Sequence, residues 1–426
     1  MEKIKIGILG LGTVGSGVVR MLTEHAGKIT SIVGRQLEVK TVVVHDLNKQ
    51  RSVDLTGVKV SNDPFEIIND SEIQMMVEVM GTIDQAKDYI EAALRAGKHV
   101  VTANKDLIAL HGPSLVALAR EKGCDLFYEA SVAGGIPILR TIVNSFAADR
   151  IVEVKGIVNG TTNFIMTQMN QNGLDYATAL AQAQERGFAE ADPTNDVEGI
   201  DAAYKMVILT QFAFGMDIKL ADIYVEGISK VHAADIAEAK RLGYQIKLLG
   251  RAKLIDGSID VTVAPVLVPQ TQPLANVANE NNAVFVTGAA VGETMFYGPG
   301  AGELPTANSV LSDIITVSKN INMGTTGTRF NEYQTPIQKA TDDQVVDPYY
   351  LALEVADRPG QMLKLTEIMT ENQASFNLLT QTELPDQRAR IMLVTHEMSR
   401  QQLKRIKVAL QEVADLEIKA AYKVLN

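Results

Sequence analysis

The segment from Ala183 to Lys205 gathers acidic side chains and closes on a lysine, with Asp201 and Lys205 four residues apart. On a helix that spacing puts both side chains on one face, where a carboxylate can hold and orient the ammonium group beside it. A lysine fixed in this way is a candidate proton carrier, although the same spacing also fits an ion pair on a solvated face. A second lysine, Lys105, follows Thr102-Ala103-Asn104 at the end of a short apolar strand. Ligands of open parallel sheets bind at the carboxyl ends of the strands. Lys105 there would carry a proton or anchor a carboxylate, or else stand as a solvated loop residue.

The elements that must position these groups begin at once. Lys3 to Leu9 reads as a strand, Gly10-Leu11-Gly12-Thr13-Val14-Gly15 follows, and a helix runs on through Met21. Strand, glycine loop and helix in that order form a dinucleotide-binding unit. Gly10 allows the tight turn, Gly12 lets a pyrophosphate approach the backbone, and Gly15 lets the helix pack on the sheet. The second strand, Val39 to Val44, ends at His45-Asp46, where an acidic side chain accepts bonds from ribose hydroxyls and favours NAD. His45, Lys49 and Arg51 would instead meet the 2′-phosphate of NADP, so the choice of cofactor stays open. Strands at Met75 to Val79, His99 to Thr102 and Asp125 to Glu129, alternating with helices from Ile83 to Ala96 and Pro113 to Lys122, predict a doubly wound parallel sheet of the Rossmann type.

Beyond Arg150 the pattern changes to an α+β domain. The strand Ile151 to Val158 runs into Asn159-Gly160-Thr161-Thr162-Asn163, a turn that offers amides and hydroxyls at a helix start, as an amino-acid carboxylate requires. Glu129 to Pro137 is rich in small residues whose carbonyls would suit a hard monovalent cation, or simply make a turn. Strands are expected at Gln245 to Leu254 and Ile259 to Leu267. Gly298 to Glu303 then leads into a helix, Thr306 to Ser318; its glycines approach the cofactor or act as a linker. Thr325 to Asp347 reads as a linker. The C-terminal pattern is βαββαβ, a ferredoxin-like unit, with the turn Asp357-Arg358-Pro359-Gly360 entering its first helix.

Composition bounds the partners. The 426 residues suffice for three domains, and 46% are hydrophobic, which describes a compact globular protein. A formal net charge of −11 disfavours nucleic acid and acidic membranes. The single cysteine, Cys124, leaves no intrachain disulfide and no cysteine cluster for zinc, and fits a reducing cytoplasm. No secretion signal is read at the N-terminus, and the apolar run Met206 to Phe214 is too short to span a bilayer.

Taken together, the motifs resemble the homoserine dehydrogenase family. The family signature is met by Ala183, Gly187, Asp192-Pro193, Asp196-Val197, Gly199, Asp201 and Lys205, with no departure. The resemblance extends over GLGTVG, TANK at Thr102 to Lys105, Glu129 to Pro137, NGTTN, and Tyr297 to Ala307, nearly the whole chain. It implies reversible NAD- or NADP-dependent interconversion of L-homoserine and L-aspartate 4-semialdehyde. Lys205 would be the general acid or base, supported by Lys105. Glu190 and Asp201 would hold the substrate ammonium, with Asp201 also orienting Lys205, while Gly160 and Thr161 line the substrate site. The glycine loop, His45, Asp46, Thr102, Lys105, Gly302 and Glu303 would serve the cofactor. The backbone oxygens of Glu129, Val132, Gly134 and Ile136 would bind sodium.

The C-terminal unit resembles an ACT regulatory domain, which implies L-threonine as effector at Asp357, Arg358, Pro359 and Gly360, or an assembly module without ligand. The implied domains are 1–134 for the dinucleotide with a return segment 303–321, 135–302 for substrate and dimerisation, a linker 322–347, and 348–426 for regulation. A homodimer or homotetramer is expected. The alternatives are a dehydrogenase for another small amino acid, or an amino-acid sensor without turnover.

Overall fold

The computed structural model describes residues 3–327, 330–331, 335–385 and 387–425. Residues 328–329 and 332–334 of the expected linker lie outside the described residues. The chain divides into two compact units, Met1–Val154 with Tyr204–Asp222 and Asn282–Pro336, and Lys155–Ala203 with Ile223–Asn281 and Ile337–Asn426.

The first unit is built on six parallel strands in the order Lys59–Ser61, Leu37–Val43, Ile4–Leu9, Ile73–Glu78, His99–Thr102, Leu126–Phe127. Parallel strands are covered on both faces, so their sequences run apolar with little alternation. Ile4, Ile6 and Ile8, then Met75, Met76 and Val77, are fully or almost fully buried. The strand order reverses beside Ile4–Leu9, and the crevice at such a reversal is where these sheets bind ligands. The long helix Glu303–Met323 lies against the helix Thr13–Glu24, and Arg20 pairs with Glu303 at 3.0 Å.

One helix starts earlier than its sequence suggests. Pro113 reads as a first-turn residue, yet the helix runs Lys105–Glu121 with Pro113 in its interior. Asn104 outcompetes the proline as the start signal, because its side chain caps the Leu107 amide at 3.2 Å. Lys105 therefore sits in the first turn of a helix.

In the second unit, Tyr244–Ile255 and Ser258–Pro269 form a long antiparallel hairpin. The strand Ser258–Pro269 also pairs in parallel with the last strand, Leu416–Val424. Three further strands extend that sheet in the order Tyr349–Ala356, Arg388–Thr395, Phe376–Leu384. Within the C-terminal βαββαβ segment the strands thus lie fourth, first, third, second, with antiparallel neighbours. Leu351, Leu353, Ile391 and Leu393 meet Leu365 of helix Gln361–Glu371 and Ile406 and Leu410 of helix Arg400–Gln411 in one core. Ion pairs to buried aspartates fasten this segment to its neighbours: Arg390 to Asp235 at 2.6 Å, Arg251 to Asp347 at 2.7 Å and Arg400 to Asp260 at 2.7 Å.

Candidate active site

In the first unit, Gly10 has φ of +96°, and a Cβ there would lie 2.7 Å from the Val79 carbonyl oxygen. A Cβ on Gly15 would come to 2.2 Å from the Gly10 oxygen, so the helix can start this close to the strand only with glycine. Gly12 differs, since a Cβ there would meet nothing within 4 Å. It occupies the N-cap of helix Thr13–Glu24 with no side-chain cap. The first-turn N–H groups therefore border open space, and a pyrophosphate fits there on both room and charge. At the end of the second strand His45 and Asp46 are exposed, and the Asp46 carboxylate accepts the Asn48 amide at 2.8 Å. Arg51 lies over the same turn, donating to the Lys49 carbonyl at 2.7 Å and to the Asp46 carbonyl.

Sequence reasoning passed over Glu78, the last residue of the strand Ile73–Glu78, although a lone acid closing a buried apolar strand was a signal. It is fully buried, accepting the Thr102 hydroxyl at 2.6 Å and the Met80 amide at 2.7 Å. Burial raises its carboxyl above the usual range, with Thr102 and the Met80 amide pulling the other way. Thr102 accepts the Asn104 amide at 3.0 Å, and the Asn104 side chain donates to the Thr82 carbonyl at 2.6 Å. Glu78, Thr102 and Asn104 thus set the helix end that carries Lys105. Lys105 itself is half-buried, with Asp106 at 3.5 Å.

The loop after the sixth strand holds a second buried charge cluster. The Glu129 carboxylate accepts the amides of Leu139 and Arg140, at 2.9 and 2.7 Å, at the start of helix Ile138–Ser145. The Arg140 guanidinium reaches Asp313, which accepts the Glu129 amide at 2.8 Å. Burial pushes Glu129 up to about 7 and Asp313 up to about 8, against the pull of Arg140. Ala133 and Gly134 take φ of +53° and +46°, which curls the loop. Of the four carbonyls expected to face a cation, Gly134 accepts the Ser309 hydroxyl at 2.7 Å, Ile136 the Ile138 amide at 2.8 Å, and Glu129 the Val132 amide at 3.4 Å. Each oxygen has a second lone pair, so the donor set suits a hard monovalent ion without losing these bonds. Gly302, with φ of +116°, precedes the helix on which Glu303 pairs with Arg20.

In the second unit, Asn159 is the N-cap of helix Gly160–Asn172 and is almost fully buried. Its side-chain oxygen accepts the Thr162 amide at 2.8 Å. Its side-chain nitrogen donates to Asp196 at 2.7 Å and to Asp201 at 2.8 Å. The structure thereby brings the NGTTN turn and two acids of the signature together. Neither Asn159 nor Asp196 stood out in the sequence as more than a motif position. Thr161 donates to the Phe188 carbonyl at 2.7 Å, and a side chain on Gly160 would meet the Glu280 carbonyl at 2.7 Å. Glu190 is exposed beyond helix Tyr176–Glu185, with its carbonyl accepting Gln184 at 3.1 Å. The helix Ile200–Phe214, whose residues from Tyr204 onward belong to the first unit, carries Asp201 in its first turn and Lys205 one turn later.

At the proposed effector turn, Arg358 pairs with Asp415 at 2.7 Å, the Asp357 amide donates to the Gln387 carbonyl at 2.7 Å, and Gly360 has φ of +95° before helix Gln361–Glu371. Among the described residues no group of three or more His, Cys, Asp or Glu could hold a metal ion, and no helix is long and apolar enough to cross a membrane.

Residues 10–129 match the family model "Homoserine dehydrogenase, NAD binding domain", and residues 137–315 match the model "Homoserine dehydrogenase". A homoserine dehydrogenase of Bacillus subtilis is 46% identical over 100% of this chain and 99% of its own length. The Lactococcus lactis homoserine dehydrogenase is 42% identical over 99% of each. Among solved structures, a homoserine dehydrogenase from Thiobacillus denitrificans superposes with a TM-score of 0.94 at 36% identity, covering 100% of this chain and 99% of that one. A hyperthermophilic archaeal homoserine dehydrogenase in complex with NADPH superposes with a TM-score of 0.63 at 28% identity, covering 74% of this chain and 98% of its own.

Proposed function

The chain belongs to the homoserine dehydrogenase family, an oxidoreductase that acts on a CH–OH group with a nicotinamide cofactor, and we propose that Lys205 moves the proton in that reaction. The observation that carries this reading is Asp201, held by Asn159 on the helix that presents Lys205 one turn later. A bound nicotinamide supplies the hydride to L-aspartate 4-semialdehyde or takes it from L-homoserine. As the aldehyde is reduced, negative charge grows on its oxygen. The Lys205 ammonium neutralises that charge and gives the oxygen its proton; in the reverse direction the Lys205 amine takes the proton from the hydroxyl. Lys105, at the helix start set by Glu78, Thr102 and Asn104, supports this transfer. Glu190 and Asp201 receive the substrate ammonium, and the turn at Gly160 and Thr161 receives its carboxylate.

The loop Gly10 to Gly15 holds the pyrophosphate on its amides. His45 and Asp46 meet the adenosine ribose; Arg51 beside them leaves NADP as open as NAD. Thr102, Lys105, Gly302 and Glu303 complete the cofactor side. The carbonyls of Glu129, Val132, Gly134 and Ile136 are a sodium shell in this reading. The domains are 1–134 with 303–321 for the cofactor, 135–302 for substrate and dimerisation, and 348–426 for regulation after the segment 322–347. The last is a ferredoxin-like ACT domain that binds L-threonine at Asp357 to Gly360, and its pairing makes a homodimer or homotetramer. A coupling of about 1 to 3 kcal/mol between the two sites suffices for feedback inhibition.

The test is reduced-nicotinamide production with L-homoserine, L-serine and L-threonine as substrates, each with NAD and NADP, and inhibition by added L-threonine. Turnover restricted to homoserine, with threonine inhibitory, supports the whole reading. Threonine binding without inhibition would leave the C-terminal domain as an assembly module.

A further inference from the structure

We infer that Asn159 is a positioning residue for the reaction, acting through Asp201 on the proton carrier and on the substrate ammonium. Its carboxamide has one acceptor oxygen and two N–H donors. The oxygen faces two donors, the Thr162 amide and the Thr162 hydroxyl, each at 2.8 Å. The nitrogen faces two acceptors, Asp196 Oδ1 at 2.7 Å and Asp201 Oδ2 at 2.8 Å. The opposite orientation would set the carboxamide oxygen against two carboxylates and the NH₂ group against the Thr162 amide, so the network fixes it. Each end of the side chain therefore has a separate task. The oxygen caps helix Gly160–Asn172, and the nitrogen gathers two acids from the short helix Thr194–Val197 and the helix Ile200–Phe214.

Two carboxylates on one nitrogen repel each other, and a neutral donor lowers that repulsion without cancelling their charge. Asn159 thus keeps the two carboxyl groups close together on one donor, where they can face a substrate ammonium or the lysine one turn on. Removing the nitrogen takes one donor from each acid and loosens the rotamer of Asp201. The helix cap does not depend on that nitrogen, so folding and positioning can be separated by substitution.

The inference rests on the reading of Asp201 given above, and the experiment tells the two apart. Asn159→Ser keeps an N-cap oxygen and removes the NH₂ donor. The expected result is a folded protein with a modestly lowered melting temperature and unchanged NADPH affinity, with kcat/KM for L-homoserine lowered roughly 30- to 100-fold through both kcat and KM. In an Asp201→Asn background the same substitution should cost little more, because the residue it acts through is already impaired. Losses that multiply fully in the double variant, or a single Asn159→Ser variant with parental kcat/KM, overturn the inference. If Asp201→Asn alone leaves kcat/KM unchanged, the reading of Asp201 fails instead. Should Asn159→Ser fail to fold, Asn159→Thr preserves the cap and lacks the amide donor; parental kcat/KM in that variant also overturns the inference.

Discussion

Replacing Gly12 by alanine separates the binding role of the glycine loop from its folding role. A Cβ at Gly12 meets nothing within 4 Å, and the residue has φ of −82° in extended backbone, which an L-residue adopts readily. Alanine is a poorer N-cap by about 1 kcal/mol, and reduced freedom of the unfolded chain returns about 0.4 to 1 kcal/mol. The net change in stability is therefore within about 1 kcal/mol. At Gly15 the same methyl would lie 2.2 Å from a backbone oxygen. The backbone must move there, and overpacking of this kind costs about 1 to 3 kcal/mol. The methyl on Gly12 fills the space assigned to the pyrophosphate. Losing one charge-assisted hydrogen bond to an amide costs about 1.5 to 3 kcal/mol, roughly a 10- to 150-fold weaker Kd for NADPH. Fluorescence titration with NADPH and thermal melts of both variants check this. Gly12→Ala should melt like the parent and bind weakly, whereas Gly15→Ala should melt early. A folded Gly12→Ala protein that binds NADPH within about threefold of the parent would refute the assignment of the loop.

Other substitutions probe the buried charges. Arg140→Leu strips the guanidinium from Glu129 and Asp313 and should cost about 3 to 5 kcal/mol in urea unfolding. Both carboxyls are raised, to about 7 and about 8, so the folded state holds protons that the unfolded chain has released, and stability declines as pH rises toward those values. The deficit of Arg140→Leu should therefore widen from about pH 6 to about pH 8.5; a constant deficit contradicts the burial argument. Glu78→Gln turns an NH₂ group toward donors and should cost about 1 to 3 kcal/mol, and an unchanged urea midpoint would dismiss the network at the Lys105 helix. Arg390→Met leaves Asp235, whose side chain is 0% exposed, without its cation. Hydrogen exchange in helix Ala233–Arg241 should rise, and parental protection there would show the pair to be dispensable.

Local signals of a few residues carried much of this reading. The strand, glycine loop and helix at the N-terminus declare themselves because backbone geometry admits only glycine at Gly10 and Gly15. The apolar parallel strands are legible because both faces are covered. Asn104 shows where sequence reasoning slipped: proline drew the helix start to residue 113, while a capping residue nine positions earlier decided it. Glu78 and Asn159 were harder to see, since their partners are distant in sequence, 24 residues away for Thr102 and 42 for Asp201. Single-residue polarity within a motif does not say which acid will share its donor. The pairing of Ser258–Pro269 with Leu416–Val424 joins strands more than a hundred residues apart, and no local pattern predicts it.

The most direct test of the account is a single-turnover measurement of nicotinamide reduction by L-homoserine in the parent, Lys205→Ala and Lys105→Ala proteins. Removing the proton carrier should cost about a hundred- to ten-thousand-fold, roughly 3 to 5 kcal/mol of barrier, with NADP and homoserine still bound. A loss of that size in Lys205→Ala, and a smaller one in Lys105→Ala, is the predicted result. Turnover largely kept in Lys205→Ala and abolished in Lys105→Ala would contradict it and move the proton to Lys105.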